Sequence, residues 1–289
     1  MPSAMARVYV SDLDGTLLDA DARLTPFARD TLWRLLDAGA PIGVATARSI
    51  QSVAHILGDL PLELPVVCMN GAFLSDLRTL RHVRVHAIPT DVAEDISRRG
   101  LTTGIPFTIS TSGEDDRLYM PTASGYAPAV YEGMKWYEDD RAQVRDPRLR
   151  VVADVTEGLA EPVTCINFIA PFGGGLERLE EELVDAHGDR ATIHRFPNWY
   201  SPGWEWMSVH SAEARKCRGV RAMLEHGGMA DRELVVFGDA GNDLTMFEAA
   251  DHAVAVENAI PELREVADEV IEAHTTDAVA RYLARALGD

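Results

Sequence analysis

Lysine is nearly missing from this chain: of 27 basic residues only Lys135 and Lys216 are lysines, and the rest are arginines. Cysteine is scarce too. Cys68, Cys165 and Cys217 are an odd number, far apart, with no Cys-x-x-Cys pair, which excludes a disulfide scaffold and fits reduced thiols in a cytosol. No secretory signal opens the sequence, and no apolar run approaches the ~20 residues that span a bilayer. A soluble, cytoplasmic protein is expected. Positive charge is in deficit, with a formal net charge of −19 that repels nucleic acid and anionic membrane surfaces. Internal repeats and low-complexity segments are absent. The histidines show no ligand spacing, so His55, His194, His210 and His252 are expected in packing or at the surface.

What is present is a large apolar complement, 46% of 289 residues, enough to bury one large or two ordinary domains. Two acidic stretches stand at opposite ends of the chain. Ser11-Asp12-Leu13-Asp14-Gly15-Thr16 follows Val8-Tyr9-Val10, and Gly238-Asp239-Ala240-Gly241-Asn242-Asp243 follows Leu234-Val235-Val236-Phe237. The apolar runs read as buried strands, so both acidic stretches lie at strand carboxyl ends, where open α/β sheets bind ligands. Gly15 gives the chain freedom to turn away. Carboxylates crowded at ~4 Å repel by about 4 kcal/mol per pair at an effective dielectric near 20. A cation is required among them. With no His or Cys in either stretch, a hard, oxygen-seeking ion such as Mg2+ fits, held by Asp12, Asp239 and one backbone carbonyl. Composition leaves two readings for Lys216: an ordinary surface lysine, or a compact charge for one phosphate oxygen or carboxylate.

Thr25-Pro26 predicts a capped helix running to Gly39. Ile42-Gly43-Val44-Ala45 is a short buried strand ending at Thr46-Ala47-Arg48-Ser49, a helix runs to about Gly58, and Pro65 to Met69 form a third strand closed by an Asn70-Gly71 turn. This alternation predicts a doubly wound parallel sheet. From about Arg78 the texture changes to strand-like pieces near Val83, Phe107, Leu149 and Cys165, separated by Pro and Gly. An inserted α+β unit is expected there. Aromatics gather at Tyr119, Tyr126, Tyr131, Trp136 and Tyr137 and again at Trp199, Tyr200, Trp204 and Trp206, and suit packing or substrate contact. The α/β rhythm then returns, with Lys216 in the first turn of a helix. The expected domains are a core segment over residues 1–80, the insertion over 81–200 and a second core segment over 201–289.

Four motifs in order, Asp12-Leu13-Asp14-Gly15-Thr16, Thr46-Ala47-Arg48, Lys216 and Gly238-Asp239 through Asn242-Asp243, resemble those of the haloacid dehalogenase-like superfamily, specifically the Cof-type phosphatases with a large cap of the C2 (type IIB) class. Val256-Glu257-Asn258-Ala259 is similar to that family's Asn-Ala turn. The resemblance implies a Rossmann-like core with an α+β cap between Thr46 and Lys216. It further implies a Mg2+-dependent phosphatase of a small phosphorylated metabolite, a sugar phosphate first among them, working through an aspartyl phosphate. Asp12 corresponds to the nucleophile and Asp14 to the general acid and base; Asp14 argues against dehalogenation, which releases an anion that needs no proton. Thr46 and the Ala47 N–H correspond to donors to the transferring group, Lys216 to its charge partner, Asn242 to a phosphate contact and Asp243 to an acid that orients ligands or Lys216. Asp12, Asp14 through its carbonyl, Asp239 and Asp243 make up the expected metal set, and Leu13, Arg48 and Asn70 are further substrate-binding positions.

Departures from the pattern are Ala47 for glycine, Cys217 for a small residue and Ser208 where the family often has Glu. The alternatives are a phosphomutase, whose second phosphate Arg141, Arg145, Arg148 and Arg150 could clamp if they are not a solvated face, and a non-catalytic sugar-phosphate sensor. A monomer or homodimer is expected.

Overall fold

The computed structural model describes residues 7–113, 116–143, 145–198 and 201–288. The chain divides into two compact units, one built from residues 1–84 and 214–289 and the other from 85–213.

The first unit is organised by a five-stranded sheet in the order β14 (Glu269–Ile271), β13 (His252–Val256), β12 (Glu233–Gly238), β1 (Arg7–Ser11), β2 (Ile42–Val44). Every neighbouring pair in it is parallel. A bridge between Ala45 and Val67 links β2 to β3 (Val66–Cys68), which turns back antiparallel into β4 (Phe73–Ser75), with β5 (His82–Val85) beyond. The central strands are apolar throughout because both faces are covered: Val8, Tyr9, Val10, Val235, Val236 and Phe237 are all at most 1% exposed. The covering helices are α1 (Pro26–Asp37), α2 (Ile50–Leu57), α6 (Lys216–His226), α7 (Leu244–Glu248), α8 (Pro261–Val266) and α9 (Ala278–Leu287). Thr25 caps α1 as its sequence suggests, its hydroxyl accepting from Ala28 N at 3.0 Å ahead of Pro26.

Register decides what emerges at the carboxyl edge. Ser11 pairs with Phe237 and with Val44, Asp12 N donates to Phe237 O and Thr46 N donates to Val67 O. Residues 12, 46 and 239 therefore leave neighbouring strands side by side.

The second unit holds a six-stranded sheet in the order β10 (Ala191–Pro197), β11 (Trp204–Ser211), β9 (Val163–Pro171), β6 (Phe107–Thr111), β7 (Leu118–Pro121), β8 (Leu149–Val152). All its pairs are antiparallel except β7 with β8. Alternate residues of β6, β9 and β11, among them Phe107, Ile109, Ile166, Phe168, Met207 and Val209, form its main core with α3 (Thr90–Thr103) and α5 (Leu176–His187). On the opposite face, α4 (Pro128–Gln143) packs Tyr131 and Met134 against Met120 and Ile169.

The second core segment, expected from residue 201, starts later. β11 is hydrogen-bonded between β10 and β9, so residues 204–211 belong to the inserted sheet and the crossing falls at 213 to 214. Ser208 sits on that strand, buried, with its hydroxyl donating to Asn167 Oδ1 at 2.5 Å. The arginine stretch is not a uniformly solvated face either. Arg148 is buried against Asp146 at 2.7 Å, and Arg141 pairs with Asp140. Of the aromatics, Tyr137 and Trp206 meet edge to face at 4.8 Å, while Trp199 and Tyr200 lie outside the described residues.

Candidate active site

The site is built entirely from the first unit. Asp12 follows β1, and Lys216 opens α6, where its ammonium is fully buried. Nζ donates to Asp12 Oδ1 and to Asp243 Oδ1, both at 2.7 Å. The other oxygen of Asp243 accepts from Asp239 N at 3.0 Å and Ala240 N at 3.1 Å. Both oxygens of Asp243 are thus engaged by protein donors, and the side chain ties the loop after β12 to Lys216. Asp239 accepts from Thr16 Oγ1 at 2.8 Å through Oδ1, and its backbone oxygen accepts from Ile260 N.

Two glycines are needed for this convergence. Gly15 turns at φ 72°, and a Cβ there would stand 2.4 Å from Asp239 Oδ2. Gly71, at φ 97°, lies where a Cβ would be 2.4 Å from Arg215 O, the residue just before Lys216. Neither position accepts a side chain without displacement.

Carboxylate oxygens of Asp12, Asp239 and Asp243 lie within 4.8 Å of one another. Burial pushes the Asp12 carboxyl well above the ordinary range; Lys216 pulls it down, while Asp243 and Asp239 push it further up. Asp239 is pushed up to about 6 by burial and the neighbouring Asp243, against the pull of Thr16 and Lys216. Burial would lower Lys216, but Asp12 and Asp243 outweigh it and hold the ammonium charged. The unrelieved negative charge and the all-oxygen donor set fit a hard divalent cation.

Asp14 stands apart from this trio. Its carboxylate is gripped by Arg48, Nε to Oδ2 at 2.7 Å and Nη2 to Oδ1 at 2.5 Å. Thr46 is fully buried, its hydroxyl accepting from Arg48 N at 3.1 Å and its backbone oxygen from Asn70 N at 3.0 Å. Ala47 is exposed at the tip of this loop. Leu13 is fully buried, so only its backbone can meet a ligand. Asn70 adopts φ 56°, and its Oδ1 accepts from Asn242 Nδ2 at 3.0 Å, while Asn242 Oδ1 is buried without a hydrogen-bond partner. Among the residues given substrate or catalytic roles from sequence, Arg48 and Asn70 therefore meet other members of the site.

Three further residues support the site without carrying a role in the motifs themselves. Thr16 orients Asp239; Asn258 donates to Gly15 O at 2.8 Å; Ser52 accepts from Arg48 Nη1 at 3.0 Å. Thr16 and Asn258 sit inside motifs that could have flagged them. Ser52 carries no such signal.

Residues 9–283 match the model of a family described as haloacid dehalogenase-like hydrolase. The chain is 25% identical over 276 residues to the 5-amino-6-(5-phospho-D-ribitylamino)uracil phosphatase YitU of Bacillus subtilis, covering 94% of each protein. It is 26% identical over 290 residues to the pyridoxal phosphate phosphatase YbhA of Escherichia coli, covering 96% of this chain and 97% of that one. The crystal structure of TM0651 from Thermotoga maritima matches with a TM-score of 0.77 at 25% identity, over 98% of each chain. With the family model spanning nearly the whole sequence and both acidic strand ends meeting at one lysine, the chain belongs to the haloacid dehalogenase-like hydrolases, as a Cof-type member.

Proposed function

We propose that this protein is a phosphatase that hydrolyses a small phosphorylated metabolite, with a sugar phosphate as the leading class, by way of a phosphoryl group carried on Asp12. The observation that carries the reading is the buried bridge from Lys216 to both Asp12 and Asp243 at 2.7 Å, which holds a carboxylate at a strand end in a site short of positive charge. The relatives named above as phosphatases of phosphorylated small molecules support the same class.

In the first half-reaction a carboxylate oxygen of Asp12 forms a bond to phosphorus as the ester P–O bond breaks, and the departing oxygen takes its proton from the Asp14 carboxyl. In the second, Asp14, now ionised, accepts a proton from water. The water oxygen bonds to phosphorus, and the electron pair of the breaking P–O bond returns to Asp12. Lys216 balances charge on Asp12 and the transferring group, and the Thr46 hydroxyl and Ala47 N–H donate to its oxygens. Asn242 reaches the bound phosphate, with Asn70 setting its amide.

Mg2+ fits the donor set, with Asp12, Asp239 and the Asp14 carbonyl as its ligands and Asp243 behind them. Bound there, it would supply positive charge to the phosphate oxygens. Asp12, Asp239 and Asp243 against the single charge of Lys216 leave two negative charges for it to offset. Release of inorganic phosphate from 4-nitrophenyl phosphate, dependent on added Mg2+ and lost in Asp12→Asn, tests the proposal. Equal turnover by that variant would overturn it.

A further inference from the structure

Arg48 looks from sequence like a substrate contact, yet its guanidinium is spoken for. Nε and Nη2 take the two oxygens of Asp14 in a two-pronged pair, and Nη1 donates to Ser52 Oγ at 3.0 Å. The side chain is 21% exposed. Its own backbone is fixed too, since Arg48 N donates to Thr46 Oγ1 and Arg48 O accepts from Met69 N. Asp14, by contrast, comes from an irregular turn, extended at φ −70° and ψ 128° and followed at once by Gly15 at φ 72°. A short side chain on such a turn can swing between rotamers unless something outside the turn holds it. A planar fork matched to a carboxylate sets both its position and its plane.

We infer that Arg48 is a positioning residue for Asp14, with Ser52 of α2 as the anchor of its guanidinium, so that the proton Asp14 delivers is aimed at the departing oxygen. This rests on the phosphatase reading above and deepens it. The turn after β1 supplies the acid, and the loop after β2 supplies its aim.

The dependence of rate on the leaving group isolates that role. For two aryl esters, kcat/KM reports transfer of the phosphoryl group to Asp12 and is blind to the later hydrolysis. 4-Nitrophenolate leaves readily without a proton, whereas the phenolate of phenyl phosphate needs one. With saturating Mg2+, Arg48→Met should lose about 10²-fold in kcat/KM on phenyl phosphate and about three-fold or less on 4-nitrophenyl phosphate. Arg48→Lys keeps the charge without the fork, and should show the same selective loss. Ser52→Ala should show it in weaker form. Asp14→Asn supplies the reference pattern.

Equal losses on both esters in Arg48→Lys would make Arg48 a substrate or phosphate contact and overturn the inference. Full activity on both esters would overturn it as well. A wild-type protein that released phosphate from neither ester would instead overturn the phosphatase reading, and the inference with it.

Discussion

Replacing Lys216 by Met removes one charge from the centre of the site at nearly constant volume. Each 2.7 Å contact, to Asp12 and to Asp243, carries about 6 kcal/mol of Coulomb attraction at an effective dielectric near 20. The net loss is smaller, because desolvation of the ammonium is recovered. Breaking a buried pair from one side costs about 3–5 kcal/mol, and that is the expected fall in unfolding free energy at pH 8, measured by urea denaturation with a chelator present. The deficit should shrink with falling pH. Asp12 is already pushed up by burial against the pull of Lys216; without the ammonium it rises further in the folded chain, so the folded variant binds the extra proton and gains relative to wild type as pH drops toward 5. Turnover should fall by at least ~10²-fold at every pH. Changing Asp243 to Asn in the same chain should return part of the stability and none of the activity. A variant as stable as wild type at pH 8, or one whose deficit grows on acidification, would show that the buried ammonium does not hold this site together.

Adding Mg2+ should raise the melting temperature more at pH 8 than at pH 5.5, since burial and Asp243 push Asp239 up to about 6 and protons compete with the metal below that; calorimetry reads the difference. Gly15→Ala should lower both stability and activity, because its Cβ would stand 2.4 Å from Asp239 Oδ2 at φ 72°; a melting curve and a phosphate assay check it. In the inserted unit, His210 is buried and held down to about 4 by burial and the nearby His194, against its bond to Thr164 O. The unfolded chain protonates that imidazole near 6.5, so stability should drop by about 3 kcal/mol between pH 6.5 and pH 4, and His210→Gln should flatten the profile.

The carboxyl edge of the core was legible because it is written in local terms. Apolar runs end in carboxylates at Asp12 and Asp239, Thr25-Pro26 caps α1, and Lys216 stands out in a chain that otherwise uses arginine. Pairings between distant side chains carry no local mark. The fork from Arg48 to Asp14 and the amide pair of Asn70 with Asn242 span 34 and 172 positions, and nothing in residues 46–48 announces the direction of a guanidinium. The inserted unit was readable as strands and helices but not as a sheet. Its order places β11 between β10 and β9, and a strand feeding the Lys216 helix reads the same whichever sheet it joins. Sequence alone therefore places the boundary too early, at 201 and not at 214.

In the proposed reaction Asp12 carries the phosphoryl group between ester and water. Acid-quenching the enzyme during turnover of a radiolabelled phosphate ester, followed by peptide mapping, addresses it directly. Label should appear on the peptide containing Asp12, be lost in Asp12→Asn and be discharged when the wild-type sample is left to turn over before quenching. Steady release of phosphate with label on another residue, or with inverted configuration at phosphorus showing direct attack by water, would contradict it.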